Sequence, residues 1–134
     1  MTPQSFSSGK TRRDGVDATA GRRRRYRAGW LAEFSAAAWL MMKGYRVIDR
    51  RVKTPAGEID LIVVRRGRVS FVEVKARRSQ GLAEASVTDH QRRRIKRAAD
   101  LWLQRHARFQ TYEVTFDVVF MISRRLPQHI VDGL

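Results

Sequence analysis

The sequence contains no cysteine, and this absence excludes a disulfide framework and any zinc site built on thiolates. The three histidines, His90, His106 and His129, lack the spacing of metal ligands. Apolar residues never run for the roughly 18 positions that a membrane-spanning helix needs. The N-terminus also lacks the apolar core of a signal peptide. We therefore expect a cytoplasmic protein without a membrane span.

Acidic residues are scarce. The chain has 13 Asp and Glu against 28 Lys and Arg, a formal net charge of +15. Such an excess favours polyanionic partners, either nucleic acid or an anionic membrane surface. With 134 residues, 43% of them hydrophobic, the chain is long enough for one domain with a core. Residues 1–27 have almost no large apolar side chains, so they are expected to form a disordered basic arm before a domain over residues 28–134. The run from Arg22 to Arg25 in this arm either lies along phosphates or serves as a solubilising tail.

A β-hairpin is predicted over residues 57–75, because two β-branched, apolar runs flank a short basic turn that contains glycine. If Arg66 and Gly67 form a two-residue turn, Arg65 pairs with Arg68 and the register of both strands follows. One face of the hairpin then carries five apolar residues and the other is apolar toward the turn, so burial on both faces is expected. The five apolar residues are Ile59, Leu61, Val63, Val72 and Val74.

The same register gathers four charged side chains at one end of the hairpin. It places Asp60 opposite Glu73 and Glu58 opposite Lys75, all on one face. Directly opposed carboxylates destabilise a sheet, and a divalent cation between Asp60 and Glu73 removes the conflict. Lys75 would then hold a nucleophilic water or stabilise charge on a phosphate. The alternative is a structural salt-bridge cluster of the same four residues, and a bulge would separate the carboxylates.

A first helix is predicted over residues 28–43, with Gly44 as its C-cap. Its one acid, Glu33, shares a face with small and apolar residues. Glu33 therefore either reaches over the sheet toward the charged end of the hairpin or is an exposed residue that stabilises the helix N-terminus. A strand over residues 45–52 and a turn over residues 54–57 follow.

A second helix is predicted from Thr88 to about His106, with an apolar stripe that Gln91 continues at the helix start. Gln91 has two interpretations: its amide orients a water molecule or a phosphate, or it only forms hydrogen bonds with the backbone. The outer faces are densely basic, which supports contact with a phosphate backbone more than sequence reading. The basic loop over residues 76–81, after the hairpin, either contacts a phosphate backbone or is simply solvated. The candidate nucleic-acid-binding residues are Arg77, Arg78, Arg92, Arg93, Arg94 and Arg97.

A last strand is predicted from Tyr112 to Ile122, where apolar residues alternate. Asp117 within this strand is interpreted as structural. The tail from Arg124 to Leu134 is short and contains Pro127. We expect this tail to pack loosely.

This order of helix, three strands, helix and strand, with acids at the positions above, resembles the PD-(D/E)xK nuclease superfamily. The sequence is more closely similar to the YraN family, small bacterial proteins that look like Holliday-junction resolvases. The similarity covers about residues 24–122. The matching segments are Gly29-x-x-Ala32-Glu33, Gly57-Glu58-Ile59-Asp60-Leu61-Ile62, Phe71-Val72-Glu73-Val74-Lys75 and Phe116-Asp117-Val118-Val119.

The resemblance implies an α/β, restriction-endonuclease-like αβββαβ core, with a central mixed sheet flanked by helices. It implies a site of Glu33, Asp60, Glu73 and Lys75, in which the three acids bind Mg²⁺ or Mn²⁺. Gln91 stands where the family more often has Lys, and Gln also occurs there in some related nucleases, so the resemblance implies a catalytic role for Gln91 as well.

The activity implied is a metal-dependent endonuclease that acts on structured or branched DNA. A homodimer would suit a four-way junction. The alternative is a non-catalytic nucleic-acid-binding module with the same fold, and the net charge by itself also allows structured RNA as the partner.

Overall fold

The computed structural model describes residues 30–77 and 88–134, and of Arg77 only the backbone. The predicted arm over residues 1–27 and the candidate contact Arg78 lie outside the described residues. The described chain forms helix α1 over residues 30–42, strands β1 to β3, helix α2, a short 3₁₀ helix, and strands β4 and β5. The bounds are β1 Arg46–Thr54, β2 Gly57–Arg65, β3 Arg68–Arg77, α2 Asp89–Arg105, the 3₁₀ helix Ala107–Phe109, β4 Glu113–Ile122 and β5 Gln128–Ile130.

The five strands form one mixed sheet whose spatial order is their order in the chain. Strands β1, β2 and β3 form an antiparallel meander, β4 runs parallel to β3, and β5 is antiparallel to β4. A parallel neighbour requires a long crossover, and α2 lies within the connection between β3 and β4. The predicted α/β fold with an αβββαβ core and a central mixed sheet is confirmed, and β5 is an addition to it.

The two helices pack on opposite faces of the sheet. Ala36, Ala37 and Leu40 of α1 are buried in one hydrophobic cluster, and Trp102 and its neighbours in α2 are buried in another. Adjacent residues of β2 alternate between these clusters, as expected for a strand that is covered on both sides. The predicted burial of the hairpin on both faces is therefore confirmed. Within the described residues, no helix has both the length and the apolar character needed to cross a membrane.

Both predicted helix ends have the expected caps. Gly44 has a φ of 93°, and the N–H of Tyr45 donates to the carbonyl of Leu40, which is the Schellman arrangement. At the start of α2, the hydroxyl of Thr88 accepts from the N–H of Gln91, and the side chain of Gln91 accepts from the N–H of Thr88. This capping box fixes where α2 begins.

The predicted hairpin register is correct near the turn and stops short of the charged residues. The ladder pairs Arg65 with Arg68 at one end and Leu61 with Val72 at the other. Among the described residues, the expected pairs of Asp60 with Glu73 and of Glu58 with Lys75 lie beyond the end of this ladder.

The simple alternation of faces also fails at this point. Ile59 was expected on the same face as Leu61, but it packs in the α2 cluster, whereas Leu61 packs in the α1 cluster. The side chain of the residue between them, Asp60, bonds to the backbone of β3. The strict two-residue period is therefore lost in β2 at Asp60, just beyond the end of its ladder with β3.

The prediction of a loosely packed C-terminal tail is wrong. Residues Gln128–Ile130 form β5, which pairs with β4 from Val118 to Phe120. The N–H of Leu134 donates to the carbonyl of Phe116 at 3.2 Å. The tail adds a strand because it satisfies an edge of the sheet that would otherwise expose its backbone groups.

Candidate functional site

Asp60 lies in β2 immediately beyond the end of the β2–β3 ladder. Its Oδ2 accepts a hydrogen bond of 2.8 Å from the backbone N–H of Val74 in β3. A side-chain oxygen thus binds a backbone donor of the neighbouring strand at the point where the recorded strand pairing ends. This bond holds the carboxylate between the two strands and keeps it in one orientation.

The surroundings of Asp60 disfavour its charged form. Burial, followed by the nearby charge of Glu73, raises the pKa of Asp60 to about 8, and Glu33 and Glu58 add smaller contributions in the same direction. The hydrogen bond from Val74 acts in the opposite direction but does not balance them. Burial and the neighbouring acids therefore both favour the protonated form of Asp60, and a cation bound there would favour the charged form.

Glu73 and Lys75, two residues apart in β3, form an ion pair. Lys75 Nζ lies 3.3 Å from Glu73 Oε1, and both side chains are largely buried. Glu73 is also the residue whose charge most affects Asp60. The structure therefore brings Asp60, Glu73 and Lys75 together at one end of the hairpin, although not through the direct strand pairs that were expected.

Glu33 lies on the inner side of α1, near Ala36 and Ala37 in sequence, and not on its solvent face. Its Oε2 accepts a hydrogen bond of 2.6 Å from Nε of Arg51 in β1. Arg51 adopts a left-handed backbone conformation with a φ of 49°. Such a conformation is uncommon for a residue with a Cβ. Glu33 is close enough to raise the pKa of Asp60, but its carboxylate forms an ion pair with Arg51.

Gln91 uses its side-chain oxygen in the capping box of α2, where it accepts from the N–H of Thr88 at 3.3 Å. The backbone N–H of Gln91 in turn donates to the Thr88 hydroxyl. Of the two interpretations of Gln91, the structure shows the backbone one. Its catalytic role remains a prediction.

The basic residues of α2 divide into two groups. Arg92 donates to Asp89 at 3.0 Å, so part of its charge is neutralised within the helix. Arg93, Arg94 and Arg97 are exposed. The side chain of Arg77 and the whole of Arg78 lie outside the described residues, and their predicted contacts with phosphate stay predictions.

The donor set fits a divalent cation held by two carboxylates better than one held by three. Mg²⁺ is commonly bound by one or two carboxylates, with waters and substrate phosphate as its other ligands. Asp60 and Glu73 have this chemistry, and a cation bound beside Asp60 would favour the charged form that burial and the charge of Glu73 now disfavour. In residues 30–77 and 88–134, however, no three His, Asp or Glu side chains are arranged to hold a metal ion. The predicted three-acid ligand set therefore remains a prediction.

Two features of the site were missing from the sequence interpretation. Arg51, the partner of Glu33, lies 18 residues away and carries no sequence signal for its left-handed conformation. The N–H of Val74 was also missed, because the expected register paired Asp60 with Glu73 directly. The Glu73-Val74-Lys75 motif was the only signal near it, and the motif does not indicate a backbone donor.

Comparison with known proteins identifies relatives along most of the chain. A family model described as "Uncharacterised protein family UPF0102" matches residues 32–121. A UPF0102 protein of Nitrobacter winogradskyi is 48% identical over 106 residues, which are 79% of this chain and 90% of the relative. A UPF0102 protein of Agrobacterium fabrum is 44% identical over 119 residues, 88% of this chain and 98% of the relative. The family model spans the candidate site residues from Glu33 to Gln91.

Proposed function

The chain belongs to protein family UPF0102, the YraN family, and we propose that it is a Mg²⁺- or Mn²⁺-dependent endonuclease that hydrolyses phosphodiester bonds in structured or branched DNA. The observation that carries the proposal is the grouping of Asp60, Glu73 and Lys75 at the end of the β2–β3 ladder. Two carboxylates suit a hard cation, and an adjacent ammonium suits the charge of a phosphate.

Asp60 and Glu73 are the residues that would hold the cation. When bound, Mg²⁺ or Mn²⁺ polarises the scissile phosphate and lowers the pKa of a bound water. The N–H of Val74 keeps the Asp60 carboxylate oriented through Oδ2. A pre-oriented ligand needs no rearrangement when the substrate phosphate arrives.

Lys75 is the residue that meets the charge developing on the phosphate or on the attacking hydroxide. Its ammonium is held beside the site by Glu73, at 3.3 Å from Oε1. An ammonium that is already in place stabilises negative charge better than one that must be ordered first. Glu33 assists as a water positioner, and its bond to Arg51 keeps the side chain on the inner side of α1.

The basic surface supports DNA as the substrate. The net charge of +15 favours a polyanion, and exposed arginines of α2 provide contacts with phosphates. Because phosphate contacts carry no direct base information, we expect recognition of DNA shape and not of sequence. Competition between duplex DNA, junction DNA and structured RNA at one stated salt concentration tests this preference.

A second candidate is a non-catalytic nucleic-acid-binding module. Two observations favour it: Glu33 is bonded to Arg51, and Gln91 is part of a helix cap. In such a module the remaining acids would be a structural remnant. The two candidates differ in whether Asp60 is needed for metal binding and cleavage.

The deciding experiment is calorimetric titration of Mg²⁺ and Mn²⁺ into the wild type and Asp60→Ala, with short duplex or junction DNA present. Asp100→Ala, which removes an exposed acid from α2, is the matched control. We expect metal binding in the wild type and the control but not in Asp60→Ala, with DNA binding retained in all three.

Cleavage of junction DNA by the same variants completes the test. Loss of the metal site is expected to lower the cleavage rate by roughly 100-fold or more, with DNA affinity unchanged. Equal cleavage by the wild type and Asp60→Ala would contradict the mechanism. Specific metal binding in neither protein would favour the binding module.

A further inference from the structure

A basic cavity lies beside the turn that joins β1 to β2, apart from the grouping of Asp60, Glu73 and Lys75. Its volume is about 520 Å³. Among the described residues, those that line it include three arginines and a histidine of α2 but no carboxylate. The lining residues are Ala56, His90, Arg93, Arg94 and Arg97.

The spacing of these residues follows the α-helix. His90, Arg94 and Arg97 are separated by four and three residues, so they lie on one side of the first turns of α2, with Arg93 next to them. Four like-charged or chargeable groups on one side of a helix repel each other, and their repulsion destabilises the helix unless an anion binds between them. The cavity is therefore suited to an anion.

Arg94 is held in this cavity by the turn between β1 and β2. Gly57 has a φ of 154°, and a Cβ placed on it would lie 2.7 Å from Cγ and 2.9 Å from Cδ of Arg94. The stem of Arg94 therefore occupies the space that a side chain at position 57 would need.

The turn itself is fixed by Thr54. The Thr54 hydroxyl accepts from the N–H of Ala56 at 3.2 Å and from the N–H of Gly57 at 3.1 Å, and it donates to the carbonyl of Gly57 at 2.7 Å. These bonds define the surface over which Arg94 passes. A side chain that is already seated loses less conformational freedom when it binds a ligand.

The ligand chemistry follows from the donors. The planar fork of a guanidinium matches the oxygens of a phosphate or a carboxylate, and the net charge of +15 favours the phosphates of a polyanion. The volume also exceeds that of one phosphate and leaves room for the adjoining sugars. Gly57 precedes Asp60 by three residues in β2, which is roughly 10 Å along a strand.

We propose that this cavity binds a backbone phosphate of the nucleic acid, and that Gly57 positions Arg94 for this contact. The proposal rests on the nucleic-acid part of the proposed function but not on metal binding or cleavage.

The first test measures binding of a fluorescent 20-base-pair DNA duplex, a length of about two helical turns, as a function of salt and with EDTA present. Arg94→Ala is compared with Arg105→Ala, an exposed arginine in the last turn of the same helix with the same loss of charge. We expect Arg94→Ala to weaken binding roughly tenfold and to lower the salt slope by about one, while Arg105→Ala changes affinity less than about twofold.

The second test asks whether Gly57 acts through Arg94. Gly57→Ala must displace the stem of Arg94, so it is expected to weaken DNA binding about as much as Arg94→Ala does. Combining the two substitutions should then produce no further loss, because both remove the same contact. Thermal unfolding of each variant shows which of them are folded. If Gly57→Ala does not fold, Thr54→Val replaces it, since it removes the hydroxyl bonds that hold the turn. It should weaken DNA binding when Arg94 is present and add no loss to Arg94→Ala.

The outcomes separate this proposal from the proposed function. If the wild type binds DNA and Arg94→Ala behaves like Arg105→Ala, the phosphate site is wrong and the proposed function stands. Additive losses from Gly57→Ala and Arg94→Ala would overturn the positioning role of Gly57. If the wild type binds no DNA in any salt concentration, the proposed function fails and this site fails with it.

Discussion

Two aspartates of the same sheet, Asp60 in β2 and Asp117 in β4, have opposite electrostatic surroundings. Within the described part of the chain, Asp60 accepts a hydrogen bond from the N–H of Val74 and has three acids nearby, and its pKa is raised to about 8. Asp117 is fully buried, and burial by itself raises its pKa. Hydrogen bonds from His129, from the N–H of Asp132 and from Thr115 outweigh that effect, and the pKa of Asp117 is lowered.

The bonds around Asp117 hold the C-terminal strand to the sheet. Its Oδ2 lies 2.7 Å from Nε2 of His129 in β5, and its Oδ1 accepts from the N–H of Asp132 at 3.1 Å. Nδ1 of His129 is 3.2 Å from Nζ of Lys43, just after α1. Asp117 therefore has its partners within the protein, as expected of a structural residue.

The comparison shows how to distinguish a structural acid from a site acid. A buried carboxylate whose donors come from its own fold stabilises that fold. A carboxylate crowded by other carboxylates destabilises the fold until a ligand supplies positive charge. By this criterion Asp117 anchors β5, whereas the surroundings of Asp60 leave its charged form without enough compensation.

The largest effect is expected from Asp117→Ala. This change leaves the buried side chain of His129 and the N–H of Asp132 without their acceptor, so unfolding free energy should fall by about 3–5 kcal/mol. Urea unfolding measures the loss, and Asp100→Ala, at an exposed position of α2, is the control. A loss no larger than that of the control would show that Asp117 does not anchor the tail.

Asp60→Asn is expected to change stability in the opposite direction, since it should raise the free energy of unfolding in metal-free buffer. The folded carboxyl keeps its proton up to a pH of about 8, whereas the unfolded one loses it near 3.8, so the stability of the wild type should fall as pH rises between these values. Asn retains an acceptor for Val74 but has no charge to bury. Above pH 8 the variant should be more stable than the wild type, with the advantage vanishing toward pH 4.

Urea unfolding at a series of pH values checks this prediction. Asp117 is expected to give the opposite dependence of unfolding free energy on pH, because its pKa is lowered. The stability that Asp117 contributes is fully present above the pKa of its unfolded form, and it is lost as pH falls through the lower pKa of its folded form. A pH-independent difference between the wild type and Asp60→Asn would contradict the charge argument.

Next in size is the stabilisation of the wild type by Mg²⁺ at pH 8. A ligand at ten times its dissociation constant stabilises the folded state by roughly 1.4 kcal/mol, or about 4 °C in a domain of this size. Thermal unfolding with Mg²⁺ and with EDTA measures the shift. We expect the shift in the wild type and in Asp100→Asn, but not in Asp60→Asn. A shift that persists in Asp60→Asn would place the cation elsewhere.

The smallest effects are shifts in the pKa of Asp60 itself. Glu73→Gln and Glu33→Gln each remove a negative charge near Asp60, and both should lower its pKa, with the larger change from Glu73. NMR titration of the Asp60 carboxyl carbon follows each variant. Glu58→Gln serves as the weakest member of the series, and a reversed order would mean that the acids are arranged differently around Asp60.

Much of the fold was predictable because local rules decided it. The turn at Arg66 and Gly67 sets the register of β2 and β3, and Gly44 and Thr88 end or begin their helices through backbone bonds with near neighbours. The grouping of Asp60, Glu73 and Lys75 at one end of the hairpin was also predictable, and its role as a site stays a prediction. Strand β5 was missed because its three residues pair with β4 without a hydrophobic alternation long enough to indicate a strand.

By itself, the sequence determined the order of the elements, the hairpin near its turn and the acids available for a site, since each depends on residues close together in the chain. Tertiary structure alone decided where the β2–β3 ladder ends and which acid receives a cationic or hydrogen-bonding partner. Arg51 comes from 18 residues beyond Glu33, and His129 from 12 residues beyond Asp117. The charge state of a buried carboxyl depends on such neighbours in space, and periodicity along the chain does not specify them.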